Sequence, residues 1–412
     1  MPRVFYRGVG DSQRAWRGTT LAAMLCFTTL VAASQVAVTL SGASNLTKGC
    51  VERYDAATDY FPDKVTVEDA VNFTVTYHRS YKVVQTRTSA SNSGERYVLV
   101  QCGTPTPPLQ GELAGAQVAT VPIGSLYSVS TTHLSLLVDL QRLDVLTGVS
   151  TKKFLIGDEI LKRAGSAQVR EFAAASSIDT ELVVSQRPAL FMTGGSTSAE
   201  LSVIRQARIP VVANHEWLEA TALARAEWLK YMAVFLNEER TGQRLYADVK
   251  ARYRALSARA QSVPDAQKPT VMAGRGARGE FVIAGGRSYV AALIHDAGGR
   301  YVWADNASTG STTVDLEAQL KRAANADIWI NGGGWPNRAA IVQDEPRNKA
   351  FKAYRTGQVW VYERVVTAAG ANDYWSRAVS HPDLVLADLV KIFHPALAPQ
   401  HEFQWYLQVP LR

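Results

Sequence analysis

Cysteine is scarce in this chain: Cys26, Cys50 and Cys102 are the only three in 412 residues. No two of them form a CxxC motif. GxSxG, HExxH, a Walker lysine and a paired-carboxylate motif in a catalytic-looking loop are missing as well. Their absence argues against a zinc protease and a P-loop protein. It argues less strongly against enzymes in general, because catalytic groups need not be close in sequence. The seven histidines (78, 133, 215, 295, 381, 394 and 401) are scattered, and no two of them lie four residues apart. Charged residues make up 20% of the chain, with a net charge of +7. No basic run is longer than a pair such as Lys152-Lys153, so nothing marks a nucleic-acid partner. Beyond the first 40 residues no apolar run approaches the ~18 residues of a membrane span, so the remainder is expected to be soluble.

Residues 1–40 have the layout of a secretion signal. Arg14 and Arg17 precede an apolar core at 21–33, and Ala32, Ala33 and Ser34 supply small residues at its end. An uncleaved anchor is the alternative. Cys26 would leave with a signal. Cys50 and Cys102 then remain as an even pair in an exported chain, which predicts a disulfide. Lipid attachment at Cys50 is opposed by Lys48 just before it. At Cys26 it is opposed by Met24 and Leu25, where small residues are needed.

The organising stretch is 221–261. Trp228, Tyr231, Met232 and Phe235 share one helical face, and Leu245, Val249, Tyr253, Leu256 and Ala260 continue the stripe. Gly242 predicts a break between the two parts, and Pro264 closes the stretch. Short apolar runs alternate with helical patterns on both sides. This predicts an α/β fold of two lobes joined by a helix, against the alternative of two surface helices in one domain.

In chain order, FTVTY (73–77), YKVVQT (81–86) and RYVLVQ (96–101) predict an antiparallel prelude. Pro105, Pro107 and Pro108 form a linker, and VATVPI (118–123) a strand. The run Ser130-Thr131-Thr132-His133 stands between a strand and a helix, where it suits either a bound anion or a simple helix cap. The segments 178–195 and 314–333 echo each other. Each runs from an apolar residue through Asp-x-Glu (Glu181, Glu317), a short helix and a strand to a glycine pair. RIPVVA (208–213) is a strand leading to Asn214-His215-Glu216-Trp217. A strand at 270–273 opens the second lobe and runs into a glycine-dense loop at 274–288, which has no GxGxxG at a strand–helix joint. A helix at 288–298, strands at 301–303, 327–331 and 358–362, and a helix at 384–393 complete the reading. Polar and aromatic residues gather after strands: Thr132, His133, Gly194, Arg275, Trp335, Tyr374 and Trp375. Ligands bind at such positions in open parallel sheets, and an aromatic, arginine-lined cleft suits a bulky, flat or anionic ligand.

The pieces VSTTHL (129–134), the two Glu segments, 216–239, 285–305, NDYW (372–375) and 381–395 occur in an order that resembles the ABC-importer solute-binding proteins for iron complexes and vitamin B12. The resemblance spans about 118–399. It implies two α/β lobes with parallel sheets bridged by a long interlobe helix, binding without catalysis, and no cofactor. The domains it implies are a signal at 1–40, an N-terminal lobe at 50–237 with a β-rich prelude at 50–112, a bridging helix at 238–264 and a C-terminal lobe at 265–412. The prelude departs from the minimal family pattern. The implied partners are an iron-chelate or corrinoid ligand and an ABC permease with its ATPase, docked through Glu181 and Glu317; the chain is expected to be a monomer. Arg275 and Arg287 are expected to supply charge, and Trp217, Trp335, Tyr374 and Trp375 aromatic walls, with Thr132, His133, Lys153 and Gly194 contributing from the first lobe. Rival readings are a haem-binding or sensory relative of the same fold, and an exported hydrolase.

Overall fold

The computed structural model describes residues 44–88, 94–174, 177–195 and 198–411. The expected signal and Cys26 lie outside them. The three prelude strands form where the alternation places them, at Phe73–Tyr77, Tyr81–Thr86 and Arg96–Gln101, paired antiparallel in order. A fourth strand, Gln117–Val121, joins the last of them in parallel. It draws residues from beyond the proline linker into the same sheet. Cys50 and Cys102 form the disulfide. The sheet is part of the first lobe's core: Phe61, Phe73, Tyr97 and Leu99 are packed in one cluster with Leu126, Leu146, Trp228, Tyr231 and Phe235. The Phe73 ring lies 4.9 Å from that of Trp228.

The first lobe's parallel sheet runs Val211–Ala213, Leu190–Thr193, Leu126–Ser128, Leu146–Val149, Arg170–Glu171. The second lobe has a parallel centre of Thr270–Ala277, Ile328–Ile330 and Val359–Val361, with Leu407–Gln408 antiparallel at one edge. The expected loop at 274–288 is largely a hairpin. The first strand runs on from Ala273 to Ala277 and pairs antiparallel with Glu280–Ala284, which pairs with Ser311–Asp315. The spacing Gly274-x-Gly276-x-x-Gly279 therefore turns one strand into another and opens no helix. Arg275 rides on this ribbon.

Between the sheets the chain is helical at Ala222–Ala226, Trp228–Leu236 and Glu239–Gln261. Every residue of Trp228–Leu236 is buried, as a helix that is apolar nearly all round must be. The expected break at Gly242 falls instead at Asn237, which adopts the left-handed conformation that asparagine tolerates (φ 58°). Its amide is held by Leu46 O, Gln101 Oε1 and Lys82 Nζ at 2.8, 2.9 and 2.7 Å. Gly242 lies within the long helix. A Cβ there would stand 2.8 Å from Ala233 Cβ, so its smallness lets the two helices approach. The bridging helix, 23 residues and so about 34 Å long, packs against the last helix, Pro382–Phe393.

Both echoing segments fold as a short helix leading to a central parallel strand. Asp179 caps Thr180–Gln186 by accepting from Leu182 N (2.9 Å), and Asp315 caps Leu316–Ala323 by accepting from Ala318 N (2.7 Å). Glu181 and Glu317 stand exposed at the same position in the two helices.

Candidate binding cleft between the lobes

The parallel strands of the second lobe end in a cavity of about 500 Å³. Its walls include Ala273, Gly274 and Arg275 from the first strand, Asn331 after the second and Tyr362 after the third. Ser288 and Tyr289 add the start of a helix, and Trp375 a short turn. Trp217 and Arg225 reach in from the segment that follows the first lobe's sheet. Trp217 is 56% exposed, and its indole Nε1 donates to Gly194 O at 2.9 Å. Gly194 thus holds a cavity-facing ring by its backbone.

The aromatic wall is stacked. Tyr362 and Tyr374 lie 4.5 Å apart at 15°, and Trp375 meets both edge-on at 5.3 and 5.1 Å. Trp375 faces the cavity at 42% exposure, whereas Tyr374 is buried and backs it. Trp335 is a correction: it is 4% exposed and lies beneath Arg275. Its indole folds back over Gly332, where a Cβ would be 1.9 Å from the ring, and donates to Asp344 Oδ2 at 2.7 Å. The same carboxylate pairs with Arg275. Beside Arg275, burial pushes the Glu363 carboxyl up to about 7, and its Oε2 has no hydrogen-bond partner.

Other expected residues stand elsewhere. His133 is a core residue, another correction. It is 1% exposed, its Nδ1 is 2.9 Å from Ser128 Oγ, and burial pushes its pKa down to about 3. The Ser-Thr-Thr-His run serves as a cap, with Ser130 Oγ accepting from Thr132 N and contacting Thr132 Oγ1. Thr132 and Lys153 line no part of the main cavity; their sequence neighbours Thr131, Thr151 and Phe154 line a smaller hollow of about 230 Å³. Arg287 is exposed and does not line the main cavity.

The turn Asp373–Trp375 separates this cavity from a second one of about 610 Å³. Two contacts cross between the lobes beside it: Ser135 Oγ donates to Ser376 O at 2.8 Å, and His381 Nε2 lies 3.1 Å from Asp139 Oδ1. The second cavity is lined by Asp139, Asp158, Glu159 and Asp373, with Arg377 tied back to Asp373. Among the described residues no group of His, Cys, Asp and Glu side chains is arranged to hold a metal ion.

The sequence profile of the periplasmic binding protein family matches residues 128–365, more than half of the chain. The chain belongs to that family. It is of the type that binds iron complexes and vitamin B12, as the resemblance implied, and such proteins bind solutes without catalysing a reaction. An uncharacterised lipoprotein of Methanocaldococcus jannaschii is 24% identical over 77% of this chain and 76% of its own length. Two solved structures share the fold. A possible iron-binding, periplasmic solute-binding protein of Staphylococcus epidermidis has a TM-score of 0.53 at 15% identity, covering 66% of this chain and 99% of the other. An ABC transporter substrate-binding protein of Listeria monocytogenes has a TM-score of 0.50 at 15% identity, with the same coverage. The periplasmic binding protein family is extracytoplasmic. Among the described residues of this chain no helix is long and apolar enough to cross a membrane.

Sequence reasoning missed Arg225, Tyr289, Tyr362 and Asn331 in the cavity wall. Only Arg225 carried a signal, as a lone cation inside the apolar run TALARAEWL.

Proposed function

We propose that this protein captures a metal chelate of the ferric siderophore type in the interlobe cavity and delivers it to an ABC permease. The observation that carries the reading is the cavity itself. Trp217, Trp375 and Tyr362 offer apolar faces beside Arg225 and Arg275, within the volume range of small-molecule sites. The Ser135–Ser376 contact divides the interlobe gap, and each part suits a compact chelate better than a corrinoid with its nucleotide loop. A signal at 1–40 would place the chain outside the cytoplasm.

Native mass spectrometry of protein purified from its source tests the cargo. A retained ferric chelate is expected; a haem with a Soret band, or a corrinoid, would replace this reading. Trp375→Ala and Arg275→Ala should each weaken binding of that ligand with little change in melting temperature. Binding unchanged in both variants would remove the cavity from the function.

Delivery is assigned to Glu181 and Glu317. The side chains that cap the two helices are Asp179 and Asp315, which leaves the glutamates pointing into solvent. Their interaction with the helix dipole is worth only ~0.3–1 kcal/mol each. In the Glu181→Lys, Glu317→Lys double variant, ligand affinity and melting temperature should hold while uptake falls. The defect should be largest at low salt and shrink at high salt, since rim charges mainly set encounter and salt screens them. Normal uptake at limiting ligand would withdraw the docking assignment.

A further inference from the structure

Arg275 and Arg287, expected to charge the cleft, differ in burial and pairing from Arg225, which the fold brings there. Arg287 is outside the main cavity. Arg275 lines it, but its side chain is 49% exposed and is already shared between Asp344 and the Trp335 ring. Arg225 lines both the main cavity and a smaller hollow beneath it, bounded by Tyr289, Leu293, Tyr374 and Trp375. It is 7% exposed. Its guanidinium lies 4.3 Å over the Tyr289 ring.

The pairing of Arg225 is one-sided. Nε and Nη2 both donate to a single oxygen, Glu216 Oε2, at 2.9 and 2.7 Å. The other terminal nitrogen, Nη1, has no acceptor among the described residues. Glu216 is 4% exposed and does not line the cavity, so the pair presents its positive end to the ligand space. A guanidinium held by a ring below and a carboxylate behind has little freedom left to lose on binding. A charged hydrogen bond made there is screened far less than one at a half-exposed site.

We infer that Arg225 is the anion anchor of the cleft and selects chelates that carry net negative charge over neutral ones of the same shape. This rests on the reading of the cavity as a chelate site and names the charge of its cargo. Tyr289 and Trp375 flank the anchor and would take the flat part of the same ligand.

The test compares two hexadentate ferric probes, a tris-catecholate with net negative charge and a tris-hydroxamate that is neutral, by quenching of Trp217 and Trp375 fluorescence. The wild-type chain should prefer the anionic probe. The Glu216→Gln, Arg225→Gln double variant keeps a hydrogen-bonded pair of similar size without either charge. It should lose about 30-fold in affinity for the anionic probe and change little toward the neutral one. Arg225→Lys keeps the charge and serves if the double variant melts early; it should retain the anionic preference with a smaller loss. Equal effects on both probes, or none, would overturn the assignment of Arg225 while leaving the cavity as the site. Binding of neither probe to the wild-type chain would overturn the chelate reading, and this inference with it.

Discussion

At the seam between the four-stranded sheet and the helix Trp228–Leu236, charges are fully buried; around the ligand cavity they stay partly open. Lys82, Glu227, Lys230 and Glu239 are each 0% exposed. Lys82 Nζ bonds Val234 O and Asn237 Oδ1 at 2.7 Å and pairs with Glu239, whose other oxygen accepts from Asn45 at 2.7 Å. Glu227 accepts the backbone N–H groups of Glu68, Asp69 and Ala70 and pairs with Lys230 at 2.7 Å. Nearly every hydrogen-bonding position there is used. In the cavity wall, Arg275 is half exposed and Arg225 keeps one free edge; beside Arg275, Glu363 lacks a partner for one oxygen. Saturated polar networks fix a geometry, and here the geometry is the entry to the bridging helix. Unsaturated ones leave capacity for a ligand.

The sharpest way to break this contrast is Lys82→Met. It strands the Glu239 carboxylate without its counter-ion and should cost about 3–5 kcal/mol in denaturant unfolding. Adding Glu239→Gln should restore much of that. A loss below ~1 kcal/mol would mean the seam is not locked by charge. Next is Cys50→Ser with Cys102→Ser, which opens a loop of 52 residues and should cost about 4 kcal/mol by chain entropy. Ligand affinity should be unchanged, because the bridge lies in the prelude; a weaker ligand affinity would tie that sheet to the cleft.

Gly242→Ala comes third. Alanine favours the helix by ~1 kcal/mol, but its methyl would press on Ala233. Overpacking of ~1–3 kcal/mol should leave a net loss read as a lower melting temperature. A gain would show that the helices can separate freely. The smallest effect is expected from Glu363→Gln. Burial raises that carboxyl from 4.5 to about 7, so within this window the native state holds a proton that the unfolded chain has released. Stability from this group is therefore full below pH 4.5 and is lost as pH rises through 7. Glu363→Gln should raise the melting temperature at pH 8 and leave it unchanged at pH 4. No difference at pH 8 would mean that the carboxyl ionises there without cost.

Local pattern carried much of this. Alternation in 73–77 and 81–86 matches strands with one face buried, whereas 96–101 runs apolar and is buried on both faces. Asp-x-Glu at 179–181 and 315–317 reads as a helix start because the aspartate can reach the third backbone N–H after it. Glycine was where pattern misled. Gly242 and Gly274–Gly279 look like breaks when only backbone entropy is weighed. In the fold, one admits a neighbouring helix and the others a hairpin.

The sequence by itself determined the two α/β lobes, the bridging helix, the disulfide pair and the family, because periodicity, cysteine parity and the order of motifs are properties of the chain alone. Only the tertiary structure decided which side chains meet. Trp335 and His133 went into the core, since each finds a polar partner there, Asp344 and Ser128. Arg225 came to the cavity because Glu216, nine residues earlier, holds its guanidinium against Tyr289. These polar partners are near in the chain, but whether they are buried together depends on residues far apart that pack over them, and no local pattern encodes that.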